Sequence, residues 1–315
     1  MRILILSRDA NYYSTKRLVA EAKKLKHQAV VLDPLECEIS LGSTLRATRS
    51  KLDLSEFDLV IPRIGIVGVD YALLVAHQLE FMGKPMLNSA RSLDYAKNKF
   101  LALQILSRSG IPVPKTLMLR AANLPDGAAA PWRPYGAHQR AAQVPHNPSP
   151  IKDAVKRLGG LPVVLKLFRG SQGKGVMLGE NISAVESILT SVWAIGFDVM
   201  LQEYLKETKG ADIRVLVLNN QIIGAMKRTP AKGDFRSNVH QGGKLKKAAL
   251  TGKEKELALR ASRALGLKLA GIDIMRTRKG PVVLEANASP GFEGLEKITR
   301  LNIARKIVEY ACWLV

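Results

Sequence analysis

The run Gly271-Ile-Asp-Ile-Met-Arg-Thr-Arg-Lys-Gly-Pro-Val-Val-Leu-Glu-Ala-Asn-Ala-Ser-Pro-Gly291 decides how the rest of this chain is read. Two apolar stretches, Gly271–Arg276 and Pro281–Ala286, flank the polar segment Thr277–Gly280, which is the pattern of a β-hairpin. A turn centred there sets Asp273 opposite Leu284 or Glu285. In the register that gathers Ile272, Ile274, Val283 and Ala286 on one face, Asp273 and Glu285 share the other. Asn287, two residues on from Glu285, joins them by strand alternation. Like charges facing each other across a sheet destabilise it unless a cation sits between them. Two carboxylates and an amide oxygen make a hard, oxygen-only set that suits Mg²⁺ holding nucleotide phosphates. The alternative is a solvated polar face; the apolar flanks of both strands favour the ion.

Upstream stretches fit the same chemistry. Gly170-Ser171-Gln-Gly173-Lys-Gly175 links two apolar strands, Pro162–Phe168 and Val176–Leu178. It lacks the Gly-Lys-Ser/Thr of a Walker loop, yet its glycines allow backbone N–H groups to approach phosphate oxygens. Lys166 shares a strand face with Val164 and Phe168. An ammonium among apolar neighbours has to reach solvent or an anion, and a nucleotide phosphate is one such anion. Glu203 ends the strand Val199–Leu205, in place for a ribose hydroxyl or an adenine amine, or simply as an exposed strand end. Arg214, Arg228 and Arg236 suggest a cationic cluster for carboxylates or a transferring phosphoryl group, with Arg214 and Arg236 as catalytic candidates. The strands Ile213–Leu218 and Ile222–Lys227 form a second hairpin about the turn Asn219-Asn220. A polar loop over 229–247 and helices over about 252–265 and from about 302 complete this part.

The N-terminal part alternates strand and helix. Strands at Ile3–Leu6, Ala29–Leu32, Phe57–Ile61 and Pro85–Leu87 alternate with helices at Ser14–Lys26, with Ser14 as N-cap, and Tyr71–Met82. That order implies a parallel sheet covered on both faces. No Gly-x-Gly-x-x-Gly follows the first strand, so a dinucleotide fingerprint is missing. Arg8 and Arg63 follow strand C-terminal ends, where open α/β sheets bind ligands, and with Arg228 are candidates for acidic substrate groups. Asn88-Ser89 caps one long helix to about Ser107, and Val113–Leu119 is the next strand. Residues 121–150, rich in Ala, Pro, Gly and His without periodicity, read as a loop insertion.

Composition narrows the classes. With 47% hydrophobic and 24% charged residues, the 315-residue chain reads as a folded globular protein. No apolar run reaches the roughly 18 residues of a membrane span, and MRILILSR is charged too early for a signal peptide. Two cysteines, Cys37 and Cys312, fit neither a disulfide framework nor a zinc site, which points to the cytoplasm. The net charge of +21 suits nucleotides or acidic partners. Aromatic content of 5% gives no base-stacking signature, so nucleic acid is not expected as the primary ligand.

These residues resemble the ATP-grasp fold and, within it, RimK-type carboxylate–amine ligases. The resemblance rests on Ile5–Asp9, Val60–Gly65, Val164–Lys166, Gly170–Val176, Val199–Tyr204, Gly210–Arg214, Gly233–Asn238, Gly271–Asp273 and Leu284–Gly291, collinear over nearly the whole chain except 121–150. It implies an α/β fold: a Rossmann-like N-terminal domain over 1–94, a central ATP-grasp subdomain over 95–203, and a C-terminal one over 204–315. ATP would lie between the last two. Lys99 and Lys166 would contact phosphates; Glu203, Tyr204 and Asp212 the adenosine end; and Arg236, Ser237 and Asn238 the rest of the pocket. Asp273, Glu285 and Asn287 would hold Mg²⁺ or Mn²⁺, two ions in all. The implied reaction turns a carboxylate into an acyl phosphate that an amine attacks, adding L-glutamate to the C-terminal carboxylate of a small-subunit ribosomal protein in a homodimer or homotetramer. Ligation to a small molecule or cofactor is the first alternative, and an RNA-associated binding protein with an idle site is the second. Lys174 in the glycine loop and the insertion depart from the family pattern and bear on the acceptor.

Overall fold

A computed structural model describes residues 1–120, 149–167, 175–231, 233–236 and 243–315. The chain forms two compact units: Met1–Val113 with Thr208–Val315, and Pro114–Glu207. The helix Lys99–Arg108, within the range the resemblance gives to a central subdomain, lies in the first unit.

In the first unit Arg2–Leu6 lies between Gln28–Leu32 and Leu59–Pro62 in a parallel sheet, and Met86 bridges to Val60 on its edge. Side chains alternate between its faces. Leu4, Leu6 and Val60 pack with Val69, Ala72, Val75 and Leu79 of the helix Val69–Phe81. Ile3, Ile5, Leu59 and Ile61 pack with Leu18 and Ala22 of the helix Tyr13–Lys24 and with Ile303, Ile307 and Val308 of the last helix, Ile303–Cys312. Burial on both faces accounts for the uninterrupted apolar strands. Glu296 fastens that last helix: its carboxylate accepts from the Ile303 and Ala304 N–H groups at 2.8 and 3.0 Å, Tyr13 Oη at 2.7 Å and Arg17 Nε at 3.0 Å. Burial would raise this carboxyl, but the hydrogen bonds from Arg17, Ala304 and Tyr13 outweigh it and hold Glu296 below its usual range.

Several expected boundaries shift. Ser14 is not an N-cap: the helix begins at Tyr13 without a side-chain cap, and Ser14 Oγ accepts instead from Arg63 Nη2 at 3.0 Å. The expected long helix is two, Ala90–Lys97 and Lys99–Arg108, because Asn98 leaves helical geometry (φ −91°, ψ 98°) and caps the second through Leu101 N at 3.0 Å. Ser89 caps the first, and Asn88 does something else. Buried at 1% exposure, its amide donates to the Leu269 and Ala288 carbonyls, both at 2.9 Å, and accepts from Lys268 N and Leu269 N at 2.8 and 3.0 Å. Asn88→Ala leaves four backbone groups without these partners and is expected to cost about 2–4 kcal/mol. Urea denaturation reads it, and an unchanged midpoint would show that water replaces the amide at no cost.

The same unit carries a five-stranded antiparallel sheet in the order Lys244–Lys247, Gln221–Thr229, Asp212–Leu218, Leu269–Thr277, Gly280–Asn287. Asn219 and Asn220 both take positive φ (46° and 58°), which turns the first hairpin tightly. In the second, Asp273 pairs with Glu285 and Gly271 with Asn287; a bulge after Asp273 then sets Ile274 against Val283. Ile272, Ile274, Val283 and Ala286 face the core with Leu257, Ala258 and Ala261 of the helix Gly252–Ala264, which starts on a Thr251/Glu254 capping box. The polar loop expected over 229–247 ends as the edge strand Lys244–Lys247. A small sheet of Glu38–Ser40, Arg46–Arg49 and Leu52–Asp53, and a helix Glu293–Thr299, had no clear sequence signal.

The second unit is a four-stranded antiparallel sheet in the order Thr116–Leu119, Val199–Glu203, Val163–Leu167, Val176–Gly179. Ile151 and Val155 of the helix Ser149–Arg157, Leu158 just beyond it, and Val185, Leu189 and Trp193 of Ile182–Ala194 pack on it. The expected insertion over 121–150 lies outside the described residues, save that Ser149 and Pro150 already open a helix.

Candidate active site

Asp273 stands at the centre of the first unit's polar face, 2% exposed. Register decides its neighbours. Arg214 pairs with it across the sheet, and Arg228 pairs with Asp212 on the next strand. Arg214 donates from Nε to Oδ1 and from Nη2 to Oδ2, both at 2.7 Å. Arg228, 4% exposed, donates from Nη2 to Asp273 Oδ2 at 2.7 Å and grips Asp212 through Nε at 2.6 Å and Nη2 at 2.8 Å. The cations that separate the carboxylates of this face are thus, in the first place, two arginines of the chain. Burial alone would raise the Asp273 carboxyl; the charges of Arg214 and Arg228 outweigh it and hold it below the usual range. Against the same cost of burial, Asp273 and Asp212 raise the Arg228 guanidinium.

Glu285 faces Asn287, whose amide has two possible orientations. With its nitrogen toward Glu285 it donates to Oε1, and its oxygen accepts from Arg214 Nη2, both at 3.1 Å. That orientation satisfies both groups, and the face as a whole offers two carboxylates and one amide oxygen, the hard oxygen donors that a divalent ion takes. The set therefore fits a hard divalent ion. Among the described residues no group of three or more His, Cys, Asp or Glu side chains could hold a metal, so an ion here needs the amide and oxygens from its ligand. An ion that keeps waters and phosphate oxygens, as Mg²⁺ does, matches that.

Gly210 brings a loop against this sheet. Its φ is +71°, and a Cβ there would lie 2.2 Å from the Phe235 carbonyl oxygen, so only glycine allows the approach. Arg236 is held beside it by Asp234, with Nε 3.0 Å from Oδ1, and stacks on Phe235 at 5.7 Å. Ser237 and Asn238 lie outside the described residues. Arg8 meets Asp33 at 3.6 Å in a partly exposed pair of small energetic weight. Lys99 opens its helix, partly exposed.

In the second unit Lys166 lies mid-strand, and its Nζ donates to Gln202 Oε1 at 2.7 Å. Gln202, 1% exposed, is fixed by donating from Nε2 to Thr116 Oγ1 at 2.9 Å. Glu203 ends its strand with Oε1 accepting from Lys115 N at 2.7 Å, and Tyr204 follows, partly buried. Gly175 has φ +74°, with Leu167 2.8 Å from where a Cβ would sit. Gly170, Ser171 and Gly173 lie outside the described residues.

Arg228, a substrate candidate by sequence, is buried between two carboxylates, and Asp212, a candidate for the adenosine end, is bonded to it. Sequence reasoning missed Gln202, whose only signal was a polar residue in the run Val199-Met-Leu-Gln-Glu, and it missed Lys97, two residues before a lysine it named.

Known proteins resemble the chain over nearly its whole length. Residues 1–93 match the model of a RimK PreATP-grasp domain, and residues 136–311 that of a RimK-like ATP-grasp domain. A probable alpha-L-glutamate ligase of Enterobacter is 38% identical over 311 residues, covering 98% of this chain and 95% of its own. A ribosomal protein bS6–L-glutamate ligase of Salmonella newport is similar to the same extent. Among solved structures, the ATP-grasp ligase PsnB, complexed with a phosphomimetic variant of its minimal precursor, Mg and ADP, has a TM-score of 0.70. It is 18% identical, over 99% of this chain and 98% of its own, and so shares the fold. No helix among the described residues is long and apolar enough to cross a membrane.

Proposed function

Belonging to the RimK-like ATP-grasp ligases, the chain is an ATP-dependent acid–amino-acid ligase, and we propose that it joins L-glutamate to the C-terminal carboxylate of a ribosomal small-subunit protein. The observation that carries this reading is the Asp273, Glu285 and Asn287 set on one hairpin face, complete and framed by arginines, in a chain alike from end to end to glutamate ligases.

The reaction needs charge control at two points. First, an acceptor carboxylate oxygen bonds to the γ-phosphorus of ATP, and the bond to ADP breaks. Then the glutamate nitrogen attacks the acyl carbon, phosphate leaves, and the nitrogen loses its proton. Lys166, steadied by Gln202, balances phosphate charge. Arg214 and Arg236, each oriented by an aspartate, face the charge that develops on the transferred phosphoryl group and the tetrahedral carbon. A divalent ion at Asp273, Glu285 and Asn287, Mg²⁺ or Mn²⁺, would neutralise phosphate oxygens. Arg228 keeps Asp273 and Asp212 in place, while Glu203, at its strand end, accepts hydrogen bonds from the nucleoside.

Phosphate release from ATP with Mg²⁺, screened against the standard amino acids with and without the ribosomal protein, tests the reading. Glutamate alone should stimulate release when the protein is present, and mass spectrometry should show it growing by whole glutamyl residues. Stimulation without that protein would move the acceptor to a small carboxylate, and no release under any condition would remove the ligase reading.

A further inference from the structure

Two cations of the first unit have no place in the network around Asp273. Arg63 follows the strand Leu59–Pro62. Its Nη2 donates to the Pro290 carbonyl at 2.8 Å and to Ser14 Oγ at 3.0 Å, and its guanidinium lies 5.9 Å over the Phe292 ring. Its Nε and Nη1 are buried with no hydrogen-bond partner. Lys97 ends the helix Ala90–Lys97, where Asn98 interrupts the chain, and its Nζ donates to the Ile64 carbonyl. Among the described residues neither side chain has a carboxylate within ion-pair distance, although other arginines of the unit, Arg17, Arg214 and Arg228 among them, are paired.

The pair is electrostatically uncomfortable. Burial lowers Arg63 to about 10. Burial, followed by the charge of Arg63, lowers Lys97 to about 8, with Glu285 the carboxylate that opposes this. Lys97 Nζ binds the carbonyl of the residue that follows Arg63, so the two cations are neighbours, and with donors idle they cost stability unless an anion joins them. Pairs held at such a cost in the free protein are characteristic of binding sites. Both residues keep part of their surface open, and the lysine stem is flexible enough to admit a ligand.

We propose that Arg63 and Lys97 together bind a carboxylate of a ligase substrate, the group being held by the idle guanidinium N–H donors and the lysine ammonium. This rests on the ligase reading and deepens it. The carboxylate comes either from the glutamate or from the acceptor, and Pro290, next to the metal-binding hairpin, ties Arg63 to the reacting end of the sheet. A purely structural role makes a different prediction: the two side chains would then exist to brace the Ile64 and Pro290 carbonyls.

Lys97→Met and Arg63→Lys, made in the full chain, separate these possibilities. If the pair binds a carboxylate, the KM for glutamate or for the acceptor rises roughly 10- to 100-fold, while that for ATP stays within about twofold. Which KM moves identifies the source. The free Lys97→Met protein should melt no lower than the parent, since a poorly compensated buried charge has been removed. A lower melting temperature with unchanged KM values overturns the proposal in favour of bracing, and a rise of the ATP KM in step assigns the pair to the nucleotide, which also overturns it. Should the parent ligate nothing, the ligase reading fails on its own, and binding is read directly with glutamate and inorganic phosphate as probes. Thermal stabilisation of the parent by glutamate, or by a peptide with a free C-terminal carboxylate, that Lys97→Met abolishes supports the site; stabilisation by phosphate alone, or by none of these, overturns it.

Discussion

Asp273→Ala is expected to cost about 3–5 kcal/mol of stability as well as activity, because it strips the shared partner from two arginines. Arg228 is 4% exposed and would keep Asp212, but its Nη2 would lose the 2.7 Å bond that closes the chain of charges; Arg214 would lose both of its bonds to Asp273. Against a whole-protein stability of about 5–15 kcal/mol this is a large share. Glu285→Gln is the contrasting variant. Glu285 is only partly buried and meets the Asn287 amide, so its loss should leave folding within about 1 kcal/mol of the parent. It should nonetheless raise the Mg²⁺ requirement for phosphate release sharply. The acid limb offers a second reading of Asp273. Its carboxyl is held below the ordinary value of 3.8, so its contribution is complete above that pH and fades only as the pH falls through the lower folded value. Acid denaturation of the parent should carry a component that Asp273→Ala lacks. If both substitutions shift Mg²⁺ dependence and neither shifts stability, the arginine clamp has no structural weight.

That contrast shows what a sequence makes legible here. The hairpin Leu269–Thr277/Gly280–Asn287 could be read because alternation fixes which side chains share a face, and a single face then sets Asp273 against Glu285. Both registers that the turn allowed occur, joined by the bulge after Asp273. What alternation does not contain is the neighbour one strand away. Arg214 and Arg228 were visible as cations, but only the sheet order, with Asp212–Leu218 between its two partners, makes them ligands of Asp273. The same limit hid Gln202, which supports Lys166 from the adjacent strand. Chain order also gave no hint that Ile303–Cys312 returns to cover the first sheet, since its amphipathic pattern does not name the surface it meets. Helix periodicity ran straight through residue 98; a single Asn, a good N-cap and an indifferent helix former, was enough to divide one helix into two and to leave Lys97 bonded to the Ile64 carbonyl, next to Arg63.

Lys166→Ala should lower ATP-dependent phosphate release roughly a hundred- to a thousandfold, the usual effect of removing one pre-placed donor from a site that handles phosphoryl charge. Its structural cost should be small. The 2.7 Å bond to Gln202 Oε1 is lost, and a bond of this kind contributes about 1–3 kcal/mol, less whatever water restores at a half-buried position. The arrangement could equally be read in reverse, with the lysine present to satisfy a buried glutamine. Gln202→Leu decides the direction. Gln202 also donates to Thr116 Oγ1 at 2.9 Å, so it is itself tied to the strand on its other side. If the glutamine serves the lysine, Gln202→Leu should keep the ammonium but loosen it, raising the KM for ATP while leaving a measurable kcat. If the lysine serves the glutamine, Gln202→Leu should be harmless to turnover and should rescue the stability lost in Lys166→Ala. Rescue of stability in the double variant with full phosphate release would take Lys166 out of the nucleotide chemistry altogether, and with it the assignment of this unit's sheet to ATP.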